Sequence, residues 1–200
     1  MPVLGITGSI ATGKSTFARS LLRRLPAELF DADQAAHALL TQAPEIRIAV
    51  EQAFGADIYD PEGNPDRGRL RDLVFADPQN RRRLEEILHP AIRALWTARG
   101  ESARRQESWL VVDIPLLYET GAESHCDRVV VVACSRATQR RRLATDRALD
   151  DETSARIIAA QLDLETKIRK ADHLIWNDST VSCLDGQEDL LANWLSQSYG

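Results

Sequence analysis

The sequence lacks any apolar run long enough to cross a membrane. Its longest such runs, at 109–112 and 129–134, are short, whereas a membrane-spanning helix needs about 20 residues. The amino terminus has no basic residues ahead of its first apolar stretch, so a secretory signal is not indicated. Cysteine is also scarce: Cys126, Cys134 and Cys183 show no metal-site or redox spacing. These absences predict a cytoplasmic protein with reduced cysteines and no membrane partner.

Lysine is nearly absent among the basic residues. Of 25 Lys and Arg residues only Lys14, Lys167 and Lys170 are lysine, and the formal net charge is −5. This balance argues against a uniformly basic surface, and therefore against nucleic acid as a partner. The 200 residues, 44% of them apolar, suit one folded domain with a sizeable core, which we expect to be a monomer.

Segments with strand-like and helix-like patterns alternate along the chain. Apolar runs of strand length are found at 3–7, 28–31, 109–113, 127–134 and 173–176. Helical spacing of apolar residues predicts helices over 15–25, 35–40, 136–147, 151–161 and 183–195. Continuous apolar runs are typical of strands covered on both faces of a parallel sheet. The alternation therefore favours an α/β fold with a doubly wound parallel sheet.

A glycine-rich loop follows the first predicted strand, where residues 8–15 match the pattern G-x-x-x-x-G-K-[ST]. Gly8 and Gly13 permit the turns that aim backbone N–H groups at phosphate oxygens, and the next helix adds its positive end. Lys14 supplies a compact charge that a guanidinium does not reproduce, and Ser15 supplies a hydroxyl for Mg²⁺. With a strand before it and a helix after it, the motif predicts a P-loop that binds a nucleoside triphosphate.

Small-molecule kinases, GTPase switches and mechanical or assembly ATPases all use such a loop. The sequence contains no N-K-x-D tetrapeptide, which a GTPase uses to recognise guanine. Residues 60–63 fit D-x-x-G, but they lie among turn residues and not at the end of an apolar strand. A motor ATPase usually needs a larger core and oligomer contacts. The small size and a candidate lid therefore favour a kinase.

Carboxylates end two of the predicted strands. Asp31 ends strand 28–31 and Asp33 follows it, and ligands of open α/β sheets bind beyond the carboxyl ends of the strands. Either carboxylate could accept the proton of an attacking hydroxyl, or cap the next helix. Asp113 ends an apolar run and resembles the Walker B carboxylate that holds Mg²⁺ directly or through water. The alternative for Asp113 is a turn residue before Pro115.

Histidines and arginines give further candidates. His37 lies one helical turn after Asp33, and His89 precedes Pro90, where a helix should break or bend. A structural role is the default for both histidines. The arginines at 140–142 either form a solvated helix face or belong to a lid that closes over the phosphates.

Taken together, these motifs resemble the dephospho-CoA kinase family over nearly the whole chain. The specific elements are D-x-P-L-L-[FY]-E at 113–119 and L-H-P at 88–90, and D-A-D-x-x-x-[HR] is matched at 31–37. Further matches lie at 54–55, 63, 66–67, 70, 74–75 and 77–78, and at Arg142, Arg156, Gln161, Lys167, Ala171, Asp172 and Asn177.

The resemblance implies ATP-dependent phosphorylation of the 3′-hydroxyl of dephospho-CoA, the last step of coenzyme A synthesis. Asp33 is then the base, Lys14 and Arg142 are further catalytic residues, and Ser15 and Asp113 hold Mg²⁺. The implied ATP-binding residues, with Arg142 and Asn177 near the adenine, are Gly8, Ala11, Thr12, Gly13, Lys14, Ser15, Thr16, Arg142 and Asn177. The implied acceptor-binding residues are Asp33, His37, His89, Asp113 and Leu116.

Between 44 and 105 the chain is rich in arginine and its apolar residues have helical spacing, which predicts a helical insertion. The resemblance then divides the chain into three parts. Segments 1–43, 106–135 and 171–200 are expected to form the core, 44–105 a helical acceptor-binding insertion, and 136–170 a helical lid.

Two features depart from the family pattern. Ser9 and Ala11 stand where the family commonly has glycine, so the backbone of the loop must suit side chains there. The family's lid often reads R-x-x-x-R-D, whereas Asp146 precedes Arg147 here. Arg147 therefore either reaches the phosphates from one position later, or the second lid arginine is lost.

Overall fold

Five parallel strands form one sheet in the order β2-β3-β1-β4-β5. The computed structural model describes residues 2–199, apart from the side chains of Phe75 and Arg147. The strands are β1 Val3–Gly8, β2 Ala27–Asp31, β3 Trp109–Asp113, β4 Arg128–Ala133 and β5 His173–Trp176. Every pairing between neighbouring strands is parallel. The predicted α/β fold with a parallel sheet is confirmed.

The central strands are buried on both faces. Every residue of β1 and β3 is buried, as are five of the six residues of β4. Because successive side chains of a strand point to opposite faces, such burial requires cover on both sides of the sheet. Leu4, Ile6 and Val130 pack with Phe17 of the first helix and Leu195 of the last.

The sheet belongs to a unit formed by 1–31 and 98–200. Its helices are α1 Lys14–Leu21, α6 Arg136–Arg147, α7 Asp151–Ala159, α8 Leu164–Lys170 and α9 Val181–Tyr199. The prediction that α1 continues to Leu25 is wrong. After Leu21 the chain turns through hydrogen bonds between residues three apart, from Arg23 N to Ser20 O and from Arg24 N to Leu21 O. Leu25 is still buried, although it lies outside the helix.

A side chain of α9 forms hydrogen bonds with the backbone of the outer strand β5. The Oε1 atom of Gln187 accepts a hydrogen bond from the backbone N–H of Trp176 at 2.8 Å, and its Nε2 donates to the Trp176 carbonyl at 3.0 Å. One carboxamide thus satisfies both backbone groups of Trp176.

A second, helical unit spans Ala32–Thr97. It contains α2 Ala32–Gln42, α3 Pro44–Phe54, α4 Arg67–Ala76 and the first part of α5 Pro78–Arg105. Its own buried residues include Val50, Ile58 and Leu70. The Tyr59 hydroxyl donates to the Leu40 carbonyl at 3.0 Å and ties α2 to the turn after α3. The acceptor-binding role of 44–105 and the lid role of 136–170 stay predictions.

The alternative that a helix breaks at Pro90 is wrong, whereas a bend there stays a prediction. Helix α5 runs from Pro78 to Arg105 with Pro90 inside it. Proline removes one backbone donor and normally interrupts a helix. Here Leu88, Ile92 and Trp96 are buried at helical spacing around it, and this burial favours the continuous helix.

Among residues 2–199 no helix is both long and apolar enough to cross a bilayer. The three cysteines are free thiols.

Candidate active site

The loop between β1 and α1 has the geometry of a phosphate cradle. Gly8 closes β1, and an added Cβ there would collide with the Val132 carbonyl and approach Thr12 Oγ1 to 2.9 Å. Gly13 has φ +89° at the start of α1, a conformation in which a side chain is strained. Ala11 adopts φ 60° although it carries a side chain, at a cost of about 1 kcal/mol. The loop thus ends at a helix amino terminus, which attracts anions.

Lys14 and Ser15 both contact one buried carboxylate. Lys14 Nζ lies 3.2 Å from Asp113 Oδ1, and the Ser15 hydroxyl donates to Asp113 Oδ2 at 2.8 Å. Parallel pairing sets Asp113 opposite Ile6 of β1 and opposite Asp31 of β2. The carboxyl ends of three strands therefore meet at this cluster, as expected for a ligand site of an open sheet.

Arg142 and Asn177 donate hydrogen bonds to backbone carbonyls of the loop. Arg142 Nη1 donates to the Ala11 carbonyl at 3.2 Å, and Nη2 donates to the Asn177 carbonyl at 2.9 Å. Asn177 Nδ2 donates to the Thr12 carbonyl at 2.9 Å. The structure thus brings two predicted nucleotide-binding residues to the loop backbone. Thr16, which faces solvent in the first turn of α1, makes none of these contacts.

The segment after Asp113 is fixed by a buried lysine. The side chain of Lys167 is 0% exposed and forms an ion pair with Glu119 at 2.9 Å. Lys167 Nζ and the Thr7 hydroxyl both donate to the Pro115 carbonyl, at 3.0 and 3.1 Å. Burial lowers the pKa of Lys167, and hydrogen bonding and attraction to Glu119 oppose that change. Half-buried Leu116 follows directly on this fixed carbonyl.

The remaining predicted residues lie in the helical unit. Asp33 and His37 are exposed residues of α2, and His89 is a half-buried residue of α5. Burial lowers the pKa of His89; Glu85 opposes this change, whereas Arg93 and Arg81 add to it. Their roles toward an acceptor stay predictions. The side chain of Arg147 lies outside the described residues, and so does the prediction that concerns it.

Sequence reasoning missed the contribution of Gln139. This residue of α6 donates from Nε2 to Ser9 Oγ at 2.8 Å and to the Ile10 carbonyl at 2.6 Å. Gln161 was noted only as a family match, and its Oε1 accepts from the Ser9 hydroxyl and from Ile10 N–H, both at 2.9 Å. No local pattern indicates a pairing across 130 or 152 residues.

Known proteins are similar to this chain over most of its length. The sequence model of the dephospho-CoA kinase family matches residues 2–182. A dephospho-CoA kinase from Anaeromyxobacter dehalogenans is 42% identical over 194 residues, 96% of this chain and 90% of that protein. A dephospho-CoA kinase from Symbiobacterium thermophilum is 40% identical over 182 residues, 90% of this chain and 76% of that protein.

Solved structures resemble this one over the same span. TT1252 from Thermus thermophilus has 30% sequence identity and a TM-score of 0.77, covering 100% of this chain and 98% of that one. Dephospho-CoA kinase from Campylobacter jejuni has 23% identity and a TM-score of 0.62, covering 100% and 97%. At that identity the second likeness concerns the fold, which is the P-loop kinase fold predicted above.

Proposed function

The chain belongs to the dephospho-CoA kinase family, and we propose on that basis that it transfers the γ-phosphoryl group of ATP to the 3′-hydroxyl of dephospho-CoA. The observation that carries the proposal is the cluster of Lys14, Ser15 and Asp113 at the glycine loop. A loop of this form binds the phosphates through backbone N–H groups and the lysine ammonium, so its chemistry is positioning and charge stabilisation.

Each site residue has a proposed role in that transfer. The loop residues and Lys14 bind the phosphates of ATP. Arg142 keeps the loop in shape through its bond to the Ala11 carbonyl, and its proposed further role is to stabilise the negative charge that develops on the transferred group. Asp33 accepts the proton of the attacking 3′-hydroxyl and orients that oxygen toward the γ-phosphorus. His37, His89 and Leu116 are proposed to contact the acceptor.

Mg²⁺ fits the oxygen atoms of Ser15 and Asp113. Asp113 Oδ1 is buried and, although it contacts Lys14, it accepts no hydrogen bond from any described residue. Its partner oxygen Oδ2 lies 2.8 Å from the Ser15 hydroxyl, so two hard oxygen donors lie side by side. We propose that these two side chains would hold Mg²⁺, which would supply positive charge to the phosphates of ATP.

The enzyme is further proposed to work as a cytoplasmic monomer that binds neither nucleic acid nor membranes. The net charge of −5 and the three free thiols support this part. Light scattering behind a sizing column measures the mass directly, and a mass above that of one chain contradicts it.

Release of ADP that depends on dephospho-CoA is the deciding measurement. Purified protein is mixed with ATP and Mg²⁺, and ADP is followed with and without dephospho-CoA, a nucleoside monophosphate or a small sugar acid. We expect rapid ADP formation only with dephospho-CoA. Equal rates without an acceptor, or activity only with another acceptor, would refute the proposed function.

Asp33→Asn tests the proposed base. The amide keeps the size of the side chain but cannot take the proton, so we expect transfer to fall by about 10²-fold or more with ATP affinity unchanged. Asp72→Asn is the matched control, since Asp72 is an exposed carboxylate of α4 paired only with Arg71 among the described contacts. Unchanged turnover in Asp33→Asn removes this residue from the mechanism.

A further inference from the structure

Ser9, Gln139 and Gln161 form a compact hydrogen-bonded group, here called the Ser9 latch. The Ser9 side chain is nearly buried at 4% exposure, and Gln139 is 2% exposed. The Ser9 hydroxyl uses its single hydrogen to donate to Gln161 Oε1 and an oxygen lone pair to accept from Gln139 Nε2. The hydroxyl therefore acts as a donor and as an acceptor at the same time.

The latch joins two separate helical elements to the phosphate loop. Gln139 belongs to α6, and Gln161 lies just after α7. The two glutamines also bond to the backbone of Ile10. Gln161 accepts from the Ile10 N–H, and Gln139 donates to the Ile10 carbonyl. The first turn of the loop is thus fixed by four hydrogen bonds that come from the segment 136–170.

We propose that Ser9 is a positioning residue for ATP, because its hydroxyl connects the segment 136–170 to the loop that receives the phosphates. With a glycine or alanine at this position, the bond to Ile10 would be the one that each glutamine keeps among the contacts described. Without the bridge the buried Gln139 carboxamide and the half-buried Gln161 carboxamide each lose a partner, and the loop samples other shapes before ATP binds. The inference rests on the proposed function in one respect only, that the loop binds ATP.

Ser9→Ala tests the latch, since it keeps Cβ and removes only the hydroxyl. ATP affinity is measured calorimetrically without any acceptor, and KM and kcat are measured with dephospho-CoA. We expect the Kd and KM for ATP to rise about five- to tenfold, the effect of one or two ordinary hydrogen bonds. The KM for dephospho-CoA should stay within a factor of about two.

Ser20→Ala is the matched control. Ser20 is another buried serine of the same unit, and its hydroxyl bonds to Glu188 at 2.5 Å, away from the loop. Ser20→Ala should lower Tm but leave the Kd for ATP unchanged. If Ser9→Ala lowers Tm in the same way with no change in the Kd for ATP, the residue is only structural and the proposal is overturned.

A double-mutant cycle with Gln161→Met gives a second, independent readout. The two changes remove the same hydrogen bond, so we expect the effect of the pair on the Kd for ATP to be smaller than the product of the single effects. Effects that multiply fully overturn the latch. Should Ser9→Ala fail to fold, Gln161→Met alone must raise the Kd for ATP by a similar factor.

The outcomes separate this inference from the proposed function. Weakened ATP binding in Ser9→Ala supports the latch even if dephospho-CoA proves not to be the acceptor. Conversely, normal ATP binding in Ser9→Ala overturns the latch while acceptor-dependent ADP release in the unmodified protein still supports the kinase.

Discussion

The contacts that stabilise the phosphate loop differ in kind from those within the helical unit 32–97. Ser15 bonds to Asp113, 98 positions away, and Thr12 bonds to Asn177, 165 positions away. In the helical unit, ion pairs such as Arg47–Glu51 and Arg81–Glu85 join residues four apart on one helix. The loop is thus shaped by the whole sheet unit, whereas much of the polar surface of the helical unit is shaped locally. Changes at the loop should therefore cost far more than changes on helix surfaces.

Lys14→Met should produce the largest effect. The change removes the ammonium that we propose binds the phosphates, so acceptor-dependent ADP release should fall by about 10²–10³-fold. Lys14→Arg should recover little, because a planar guanidinium does not replace a compact charge. Arg19→Met, an exposed change on the same helix, serves as the control. Retention of more than a tenth of the activity in Lys14→Met would contradict the assigned role.

Lys167→Met should produce the largest loss of stability. Among the described contacts, it leaves the Leu162 N–H as the partner of Glu119 and the Thr7 hydroxyl as the partner of the Pro115 carbonyl. Because an unpaired half-buried charge remains, the free energy of unfolding should fall by about 2–3 kcal/mol in urea titrations. The comparison variant is Arg81→Gln in the helical unit, where loss of the pair with Glu85 should cost at most about 0.5 kcal/mol. Equal losses in the two variants would abolish the contrast between the regions.

Gly8→Ala and Gly68→Ala should act in opposite directions. At Gly8 the new methyl group collides with the Val132 carbonyl. The free energy of unfolding should therefore fall by about 2 kcal/mol, and ATP binding should weaken. At Gly68, within α4, the nearest atom is Asp66 Oδ1 at 3.4 Å, and alanine should stabilise the helix by about 0.5 kcal/mol. Thermal melting without ATP measures the change in stability, and the shift of Tm on adding ATP measures the change in ATP binding. A stabilised Gly8→Ala would mean that the loop has another shape.

His89 should give the smallest effect, visible only as a dependence on pH. Burial lowers its pKa below the ordinary 6.5, so between those two values the unfolded chain binds more protons than the folded one. Stability should therefore fall as pH drops from about 6.5 through the folded pKa. The midpoint of urea unfolding, plotted against pH, should depend less on pH in this range in His89→Gln.

His173→Gln provides the counterpart in the sheet unit, because burial also lowers the pKa of His173, with Asp172 opposing the change. If the profile keeps its slope in His89→Gln, the buried imidazole is not its source.

Short-range signals made much of the fold predictable. The apolar run at 109–113 corresponds to β3, and the helix predicted at 136–147 corresponds to α6, because spacing along the chain directly reports burial and period. The glycine loop and the placement of Asp113 at a strand end followed in the same way. Errors arose where tertiary burial outweighed local preference, as at Pro90, or where a turn replaced the last helical residues, as at Leu25.

The side-chain network around the loop was beyond such reasoning. Gln139 and Lys167 have no distinguishing local context, and their importance comes from elements that lie far apart in the sequence. A polar residue at a buried position is recognisable only when its partners are known. This is why the residues of the glycine loop were easier to predict from local pattern than the distant side chains that hold that loop in place.

The Gln187 carboxamide has a consequence for the protein in concentrated solution. An outer strand with exposed apolar side chains, as Leu174 and Trp176 are, invites a strand of another molecule to extend the sheet. At Trp176 both main-chain groups are already saturated within the same molecule, so an incoming strand must first displace the amide. At this residue, one side chain of the same molecule therefore opposes extension of the β-sheet by a second molecule.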